Sequence, residues 1–112
     1  MYKDYIKERL GREMIETEEG FVTYAFNCLG LPFTHIYVED IYVKKSSRMK
    51  HVARSFMDAM SILGKEKGVD RLIGSVCVGA NGSDNSLRAA IAYDMKLLSA
   101  NANAIYLYKD LK

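Results

Sequence analysis

The spacing of hydrophobic positions along the chain switches between the period of a strand and the period of a helix. Short runs of β-branched and aromatic residues predict strands, whereas apolar residues three or four positions apart predict helices. The strongest strand pattern lies at residues 34–43, and the clearest helical pattern begins at Val52 and ends near Gly64. In chain order the patterns predict a helix, a hairpin, a strand, a helix, a strand, a helix and two closing strands, at residues 4–13, 13–26, 34–43, 52–63, 71–78, 83–93, 96–99 and 104–108.

The middle of this order predicts the class of the fold. The run at 71–78 is nearly continuous in apolar and small residues, which is typical of a strand buried on both faces. With the strand at 34–43 and the helix between them it forms a βαβ unit, which we expect to be a right-handed crossover between parallel strands. The sequence therefore predicts an α/β protein with a mixed sheet, in a single domain that spans residues 1–112.

Composition excludes several classes of protein. Hydrophobic residues make up 49% of the chain and charged residues 27%, as in ordinary globular domains. No apolar run approaches the roughly 18 to 20 residues of a membrane span, and the first residues lack the apolar segment of a signal peptide. We therefore expect a soluble, cytoplasmic protein with no membrane partner.

The cysteine and histidine residues give no sign of a metal site. Cys28 and Cys77 lie far apart and form no C-x-x-C pair, and His35 and His51 are isolated. We expect no bound metal. We also expect both thiols to be buried, because an unpaired cysteine usually packs as a small hydrophobic residue.

A basic loop inside the βαβ unit is the main candidate for a site. Residues 44–50 carry four cations and two hydroxyls and lead directly into the helix. A helix N-terminus offers unpaired N–H groups and the positive end of the helix dipole, so such a loop suits a phosphate group. A solvated basic turn has the same composition, and the residues alone leave both interpretations open.

The segment at 36–53 resembles the central motif of the GNAT superfamily of acyl-CoA-dependent N-acetyltransferases. In that motif a strand reading roughly L/I-E-D-L/I-x-V is followed by a short loop and by R/Q-x-x-G-x-G/A at the start of a helix. Arg48 and Ala53 match the first and last positions of the loop motif, whereas His51 stands at its central glycine and Met49 at another frequent glycine. The order of elements is similar to the family over nearly the whole chain, although the N-terminal part is shorter.

The resemblance implies a GNAT-like fold with a central βαβ crossover and splayed parallel strands. It implies an N-acetyltransferase that transfers an acetyl group from acetyl-CoA to a primary amine of a small molecule or protein. Acetyl-CoA would lie between the two strands, with its pantetheine on the first strand and its pyrophosphate on the amides of the helix start. The residues that the resemblance assigns to the cofactor are Ile41, Tyr42, Val43, Arg48, Met49, Lys50, His51, Val52, Ala53 and Asn85. A helix cap is the alternative role of Asn85.

Two residues are expected to carry the proton transfers of this reaction. A general base takes a proton from the acceptor amine, and an acid returns one to the departing thiolate. Strict strand alternation puts Glu39 and Asp40 on opposite faces, so that only one faces the cleft, and we expect Glu39 to be the base. Tyr93 is the expected acid, from its position in the second motif helix. A surface role for Glu39 and a packing role for the Tyr93 ring are the alternatives.

His51 has two opposite interpretations within the resemblance. Its side chain could crowd the pyrophosphate, because glycine is commonly used where a ligand approaches the main chain. An imidazolium could instead donate a hydrogen bond to the phosphates. We expect crowding, and therefore weak binding of acetyl-CoA that His51→Gly tightens.

Two other functions are compatible with the sequence. Met49 and His51 would permit a catalytically degenerate GNAT-like domain that acts by binding a protein partner. A nucleic-acid-binding module could use the basic residues, but interspersed acidic residues leave no sustained basic face, so we expect no nucleic-acid partner. A homodimer is compatible with Tyr106 and Tyr108, which alternate on the last predicted strand. The basic residues in question are Lys44, Lys45, Arg48, Lys50 and Arg54.

Overall fold

The computed structural model describes residues 2–48, 51–79 and 83–112, with side chains described from residue 87 onward in the last of these segments. Its elements follow the predicted order, and their ends move by a few residues. In chain order they are α1 (Tyr2–Leu10), β1 (Glu13–Thr17), β2 (Gly20–Phe26), β3 (His35–Val43), a 3-10 turn (Lys45–Ser47), α2 (Val52–Glu66), β4 (Arg71–Cys77), α3 (Ser83–Ala92), β5 (Lys96–Ala100) and β6 (Ala104–Asp110).

The described strands form one mixed sheet of six strands in the order β1-β2-β3-β4-β6-β5. β3 and β4 are parallel, and the other neighbouring pairs are antiparallel. Helix α2 connects the two parallel strands, since an antiparallel hairpin cannot join them. The predicted mixed α/β fold with a central βαβ crossover is thereby confirmed.

The main core lies between the sheet and the apolar face of α2. Phe56 and Met60 of this helix are buried against Ile36 and Leu72 of the parallel strands. Gly64 lets the helix approach the sheet closely, because a Cβ there would lie 2.6 Å from Cδ1 of Leu111 and 3.0 Å from Cγ2 of Ile36. Residues of α3 and of the segment after it pack into the same core, so α2 and α3 share one face of the sheet.

A histidine at the start of β3, His35, anchors the loop that precedes this strand. His35 is buried, its Nε2 accepts a hydrogen bond from the amide of Leu29, and its Nδ1 lies 3.2 Å from the carbonyl of Phe33. This isolated histidine therefore has a structural role in anchoring the loop at 27–34. Among the described residues no group of His, Cys, Asp and Glu side chains could hold a metal ion.

Both cysteines differ from the prediction of buried thiols, since Cys28 and Cys77 are exposed. Cys28 lies in the loop after β2, and Cys77 is the last residue of β4. Cys28 thus lies outside the strands and helices, and Cys77 lies at the end of a strand rather than in its buried middle. Within the described ranges, no helix has the length and apolar character that crossing a bilayer requires.

Candidate active site

A cleft opens where the two parallel strands separate. β3 and β4 pair from His35↔Arg71 to Val38↔Gly74, and the described register ends there. Beyond that point β3 remains paired with β2 as far as Val43, and β4 remains paired with β6 as far as Cys77. The strands therefore diverge towards their C-terminal ends while each stays anchored on its outer side. The resulting cleft has a volume of about 910 Å³.

We call the point after Val38 and Gly74, where β3 and β4 separate, the fork of the sheet. The cleft is bounded by four elements that meet there. β3 and β4 form its two sides, the start of α2 lies at its end, and α3 with the segment after it closes it. The residues lining it are Val38, Glu39, Asp40, Ile41, Tyr42, Val43, Arg48, His51, Ala53, Arg54, Met57, Gly74, Ser75, Val76, Ala89, Ala90, Ala92, Tyr93, Met95 and Leu107.

A β-bulge in β3 causes this divergence and changes the direction of its side chains. Thr23 of β2 pairs with Asp40, and the next residue, Tyr24, pairs with Val38, so Glu39 is an extra residue on β3. A bulge bends its strand and increases the local twist. Because it follows directly on the last β3–β4 pair, Val38↔Gly74, the bend carries β3 away from β4.

The bulge also corrects the expectation that Glu39 and Asp40 point to opposite faces. Val38 packs into the α2 core, and the next β3 side chain to pack there is Ile41 rather than residue 40. Both acidic residues fall between these positions, and both line the cleft. Strict alternation does not hold here, because two residues of β3 stand opposite one residue of β2.

Glu39 is held in an ion pair that the sequence does not indicate. Nε of Arg12, in the connection between α1 and β1, donates a hydrogen bond to Oε2 of Glu39. The same guanidinium lies 5.9 Å from the centre of the Tyr37 ring, two residues before Glu39 on the strand. The hydrogen bond to Glu39 raises the pKa of Arg12, so this cation stays charged.

Asp40 lies in a different electrostatic environment. Partial burial raises the pKa of its carboxyl group, the negative charge of Glu39 raises it further, and a hydrogen bond from the Ile41 amide opposes the rise. Among the described residues no cation lies within salt-bridge distance of Asp40. A carboxylate with a raised pKa is a better proton acceptor near neutral pH than an ordinary one.

The start of α2 presents backbone amides at the end of the cleft. The first intrahelical bond runs from the amide of Ser55 to the carbonyl of His51 at 3.0 Å, and the side chain of His51, the N-cap residue, makes no capping hydrogen bond. The amides of residues 51–54 therefore have no helical partner. Such a helix start suits an anion, and Arg54 adds a cation beside it.

The backbone conformation of His51 gives a reason why the loop motif has a glycine at this position. Its φ is 60°, in the left-handed region that glycine adopts most easily and that histidine adopts at some cost. The glycine expected here thus has a conformational role as well as the role of admitting a ligand. His51 is one of the residues that line the cleft.

The remaining candidates for cofactor binding are placed as follows. Ile41, Tyr42 and Val43 line the cleft along β3, and so do Arg48 and Ala53. Nε of Arg48 donates to the carbonyl of Val43 at 3.0 Å, which ties the loop to the end of the strand. Val52 is not in the cleft, because its side chain is buried in the core. Met49 and Lys50 lie outside the described residues. Asn85 lies in the first turn of α3, and its side chain is outside the described part of the structure.

Tyr93 is one of the residues that line the cleft, but its hydroxyl group is bonded to residues of α2. The hydroxyl donates to Oδ1 of Asp58 at 2.5 Å and lies 3.1 Å from Oγ of Ser61. Asp58 and Ser61 lie on α2 and line a separate pocket of about 380 Å³. Burial and the hydrogen bond to Asp58 raise the pKa of Tyr93. In this conformation the hydroxyl connects α3 to α2, and its expected role as the acid stays a prediction.

The structure brings several residues to the cleft that the sequence did not single out as site residues. Ser75 of β4 lines the cleft, and its Oγ lies 2.7 Å from the hydroxyl of Tyr37. Gly74 and Met57 also line it, while Arg12 reaches Glu39 across the sheet. No local pattern marks Ser75 and Arg12, because each contacts a partner that is distant in the sequence.

Solved structures of acetyltransferases share this fold. Ard1 from Thermoplasma volcanium has a TM-score of 0.66 at 17% identity, over 82% of this chain and 62% of that chain. A GNAT-family acetyltransferase from Listeria monocytogenes has a TM-score of 0.72 at 12% identity, over 94% and 69%. The NatC complex bound to Gag peptide and CoA has a TM-score of 0.64 at 12% identity, over 83% and 61%.

These similarities show the fold, which is that of the GNAT acetyltransferases. The fold implied by the motif at residues 36–53 is thus confirmed. The chain spans about three fifths of the length of Ard1 and of the NatC chain. No family model and no curated protein matches the sequence.

Proposed function

We propose that the chain is an acyl-CoA-dependent N-acetyltransferase that acts on a primary amine of a small molecule or protein, in the cytoplasm. The observation that carries this proposal is the cleft between two diverging parallel strands, with an uncapped helix start at its end and two carboxylates on its side. In open α/β sheets ligands bind beyond the C-terminal ends of parallel strands.

The residues of the cleft fit acetyl-CoA as the acetyl donor. Beyond Val38, the edge of β3 that faces β4 has no strand partner in the described register, so its backbone groups can pair with the amides of a pantetheine chain. The amides of residues 51–54 and the side chains of Arg48 and Arg54 can hold the pyrophosphate. CoA is present in the NatC structure that has the same fold.

The acceptor amine must lose a proton before its nitrogen can attack the thioester. An amine that enters the cleft from the side of Glu39 and Asp40 meets two carboxylates, one of them with a raised pKa. A positioned general base contributes about 10²- to 10⁴-fold to such a reaction. Tyr93 serves as the acid in this proposal only if its hydroxyl leaves Asp58.

Calorimetric titration with acetyl-CoA, with free CoA beside it, tests the proposal at its first step. We expect saturable binding of both ligands, because most of the contacts go to the part that they share. An assay of thiol release with a small diamine and with a peptide carrying a free N-terminal amine then tests transfer. Failure to bind either ligand would overturn the proposal.

The alternative is a degenerate GNAT-like domain that acts by binding a protein partner. The observation that favours it is His51, which puts a side chain, in a backbone conformation that favours glycine, at the position where the loop motif has a glycine. Binding of acetyl-CoA without release of thiol to any amine would support this alternative over the enzyme.

A further inference from the structure

The two carboxylates in the cleft are not equivalent, and the difference comes from Arg12. Glu39 and Asp40 are adjacent at the bulge and both line the cleft. Glu39 accepts a charge-assisted hydrogen bond from Arg12, whose side chain is only 22% exposed. A Glu39 that took up a proton would lose this ion pair. Asp40 has no cation within salt-bridge distance among the described residues, and can take up a proton without breaking such a contact.

We propose that Arg12 is a positioning residue that holds Glu39 in an ion pair, so that Asp40 is the carboxylate that takes the proton from the acceptor amine. This inference rests on the acetyl-transfer activity proposed above. It assigns the base to a residue other than the expected one, and it gives a function to the connection between α1 and β1, which reaches the site from two strands away.

The proton and electron pairs balance as follows. The Asp40 carboxylate takes one proton from the protonated amine, and the freed lone pair attacks the carbonyl carbon of the thioester. The C–N bond forms and the C–S bond breaks. A second amine proton passes to the departing sulfur, and Asp40 then gives its proton to solvent. An ammonium ion and acetyl-CoA thus give an amide, free CoA and a proton.

The geometry explains why one of the carboxylates needs a counter-ion. Two adjacent carboxylates in a partly enclosed cleft repel each other, and the negative charge of Glu39 favours the protonated form of Asp40. Arg12 balances the charge of Glu39 and so limits this effect. Burial, and after it the charge of Glu39, keep the pKa of Asp40 raised.

Substitutions that remove either member of the ion pair should act in opposite directions on Asp40. Glu39→Gln removes the repelling charge and leaves the cation, so the acid limb of the pH profile of kcat/KM should move to lower pH. Arg12→Gln removes the cation and leaves the repelling charge, so the same limb should move to higher pH. Arg12→Lys keeps the charge and should stay close to the wild type, and the double variant Arg12→Gln/Glu39→Gln should lie between the two single variants.

The rates should separate the two carboxylates as well. We expect Asp40→Asn to reduce kcat by about 10²- to 10⁴-fold. Glu39→Gln should keep most of the wild-type kcat. Both variants should bind acetyl-CoA as the wild type does, and calorimetric titration of each variant checks in this way that it is folded. A loss in Glu39→Gln as large as that in Asp40→Asn would overturn the proposal, and so would an acid limb that does not move in either Arg12→Gln or Glu39→Gln.

His51 also lines the cleft and could contribute to the pH dependence of kcat/KM. The series of variants is therefore repeated in a His51→Ala background, in which a shift of the acid limb cannot come from this histidine. If Arg12→Gln does not fold, Glu39→Gln breaks the same ion pair from its other side. A wild type that acetylates no amine overturns the proposed function and with it the role of Asp40, whereas an active wild type with an active Asp40→Asn overturns this proposal alone. The charged and polar groups that line the cleft with Asp40 are Glu39 and Tyr42 on its own strand, Ser75 on β4, Arg48 and His51 before α2, Arg54 on α2 and Tyr93 after α3. In addition, Thr23 of β2 is paired with Asp40, and Arg12 contacts Glu39.

Discussion

The two halves of β3 differ in partners and in burial, and the change falls between Val38 and Glu39. The first four residues of the strand are all buried and are paired with β4, and the last three of them are also paired with β2 on the other side. The residues from Glu39 to Val43 are exposed or half-buried, and the described register pairs those from Asp40 to Val43 with β2 and leaves Glu39 as the extra residue of the bulge. The first half of β3, up to Val38, therefore stabilises the fold, and the second half, from Glu39, is available to a ligand. Substitutions should separate stability from binding at this boundary.

The largest expected effect is on stability, in the first half of the strand. Ile36 is fully buried against α2, so Ile36→Ala should reduce the free energy of unfolding by about 2–5 kcal/mol. The same change at the half-buried Ile41 should cost about half as much or less. Urea denaturation of the two variants measures the difference, and equal losses would contradict the proposed division of the strand.

A second pair of variants compares the closely packed helix with the open fork. Gly64→Ala places a methyl group 2.6 Å from Cδ1 of Leu111 and should lower the free energy of unfolding by about 1–3 kcal/mol through overpacking. Gly74→Ala makes only an ordinary contact, 3.6 Å from Cε of Met95, and should leave stability nearly unchanged.

The two glycine variants should show the reverse order in binding. Gly74 lines the cleft, so its methyl group should weaken the binding of acetyl-CoA, whereas Gly64 lies outside the lining. Thermal unfolding and calorimetric titration of both proteins decide this. A Gly74→Ala protein that is unstable but binds normally would show that the fork is part of the packed core.

The third prediction concerns His51, at the end of the open half. His51→Gly removes the strain of a left-handed histidine and should raise the free energy of unfolding by up to about 1 kcal/mol. It should also tighten the binding of acetyl-CoA if the imidazole crowds the pyrophosphate.

His51→Ala is the matched control, because it removes the imidazole but keeps a side chain at positive φ. It should tighten binding without the gain in stability. Weaker binding in both variants, increasing at lower pH, would instead make the imidazole a phosphate ligand.

The smallest expected effect is a pH-dependent change in stability at Asp40. Because the folded state raises the pKa of this carboxyl, the folded protein holds the proton more tightly than the unfolded chain. The carboxyl group of Asp40 therefore contributes to the free energy of unfolding at low pH. This contribution is lost as the pH rises from the pKa of the group in the unfolded chain, about 3.9, through its raised pKa in the folded protein. Asp40→Asn should gain a few tenths of a kcal/mol above that window and nothing below it, since the group is still partly open to solvent. Urea denaturation at pH 3 and pH 7 measures the difference, and a gain that is equal at both values would exclude Asp40 as its source.

The order of elements could be predicted from the sequence because it depends on local periodicity. The strand pattern at 34–43 and the helical spacing from Val52 were sufficient to predict the crossover, and the motif around Arg48 was sufficient to predict where the cleft lies. Helix and strand periods are properties of a single segment, and they survive in the folded protein when tertiary packing agrees with them.

The details of the site could not be predicted in the same way. A bulge depends on how two strands pair, so nothing within β3 alone shows that Glu39 is an extra residue. The partner of Glu39, Arg12, lies 27 residues earlier, and the partner of the Tyr93 hydroxyl, Asp58, lies 35 residues earlier. Both contacts are set by the sheet order and by the shared face of α2 and α3.

The fork also has a consequence for the solubility of the protein. Strand edges with free backbone groups are places where sheets from separate molecules join and aggregate. The edge of β3 beyond Val38 is such an edge, but it lies in the middle of the sheet. It faces β4, which is held in place by its pairing with β6, and helix α2 connects the two parallel strands. A second sheet cannot approach it sideways, whereas a slender extended ligand can enter along its length. An opening within a sheet can thus keep backbone groups free for a ligand without exposing them to other copies of the chain.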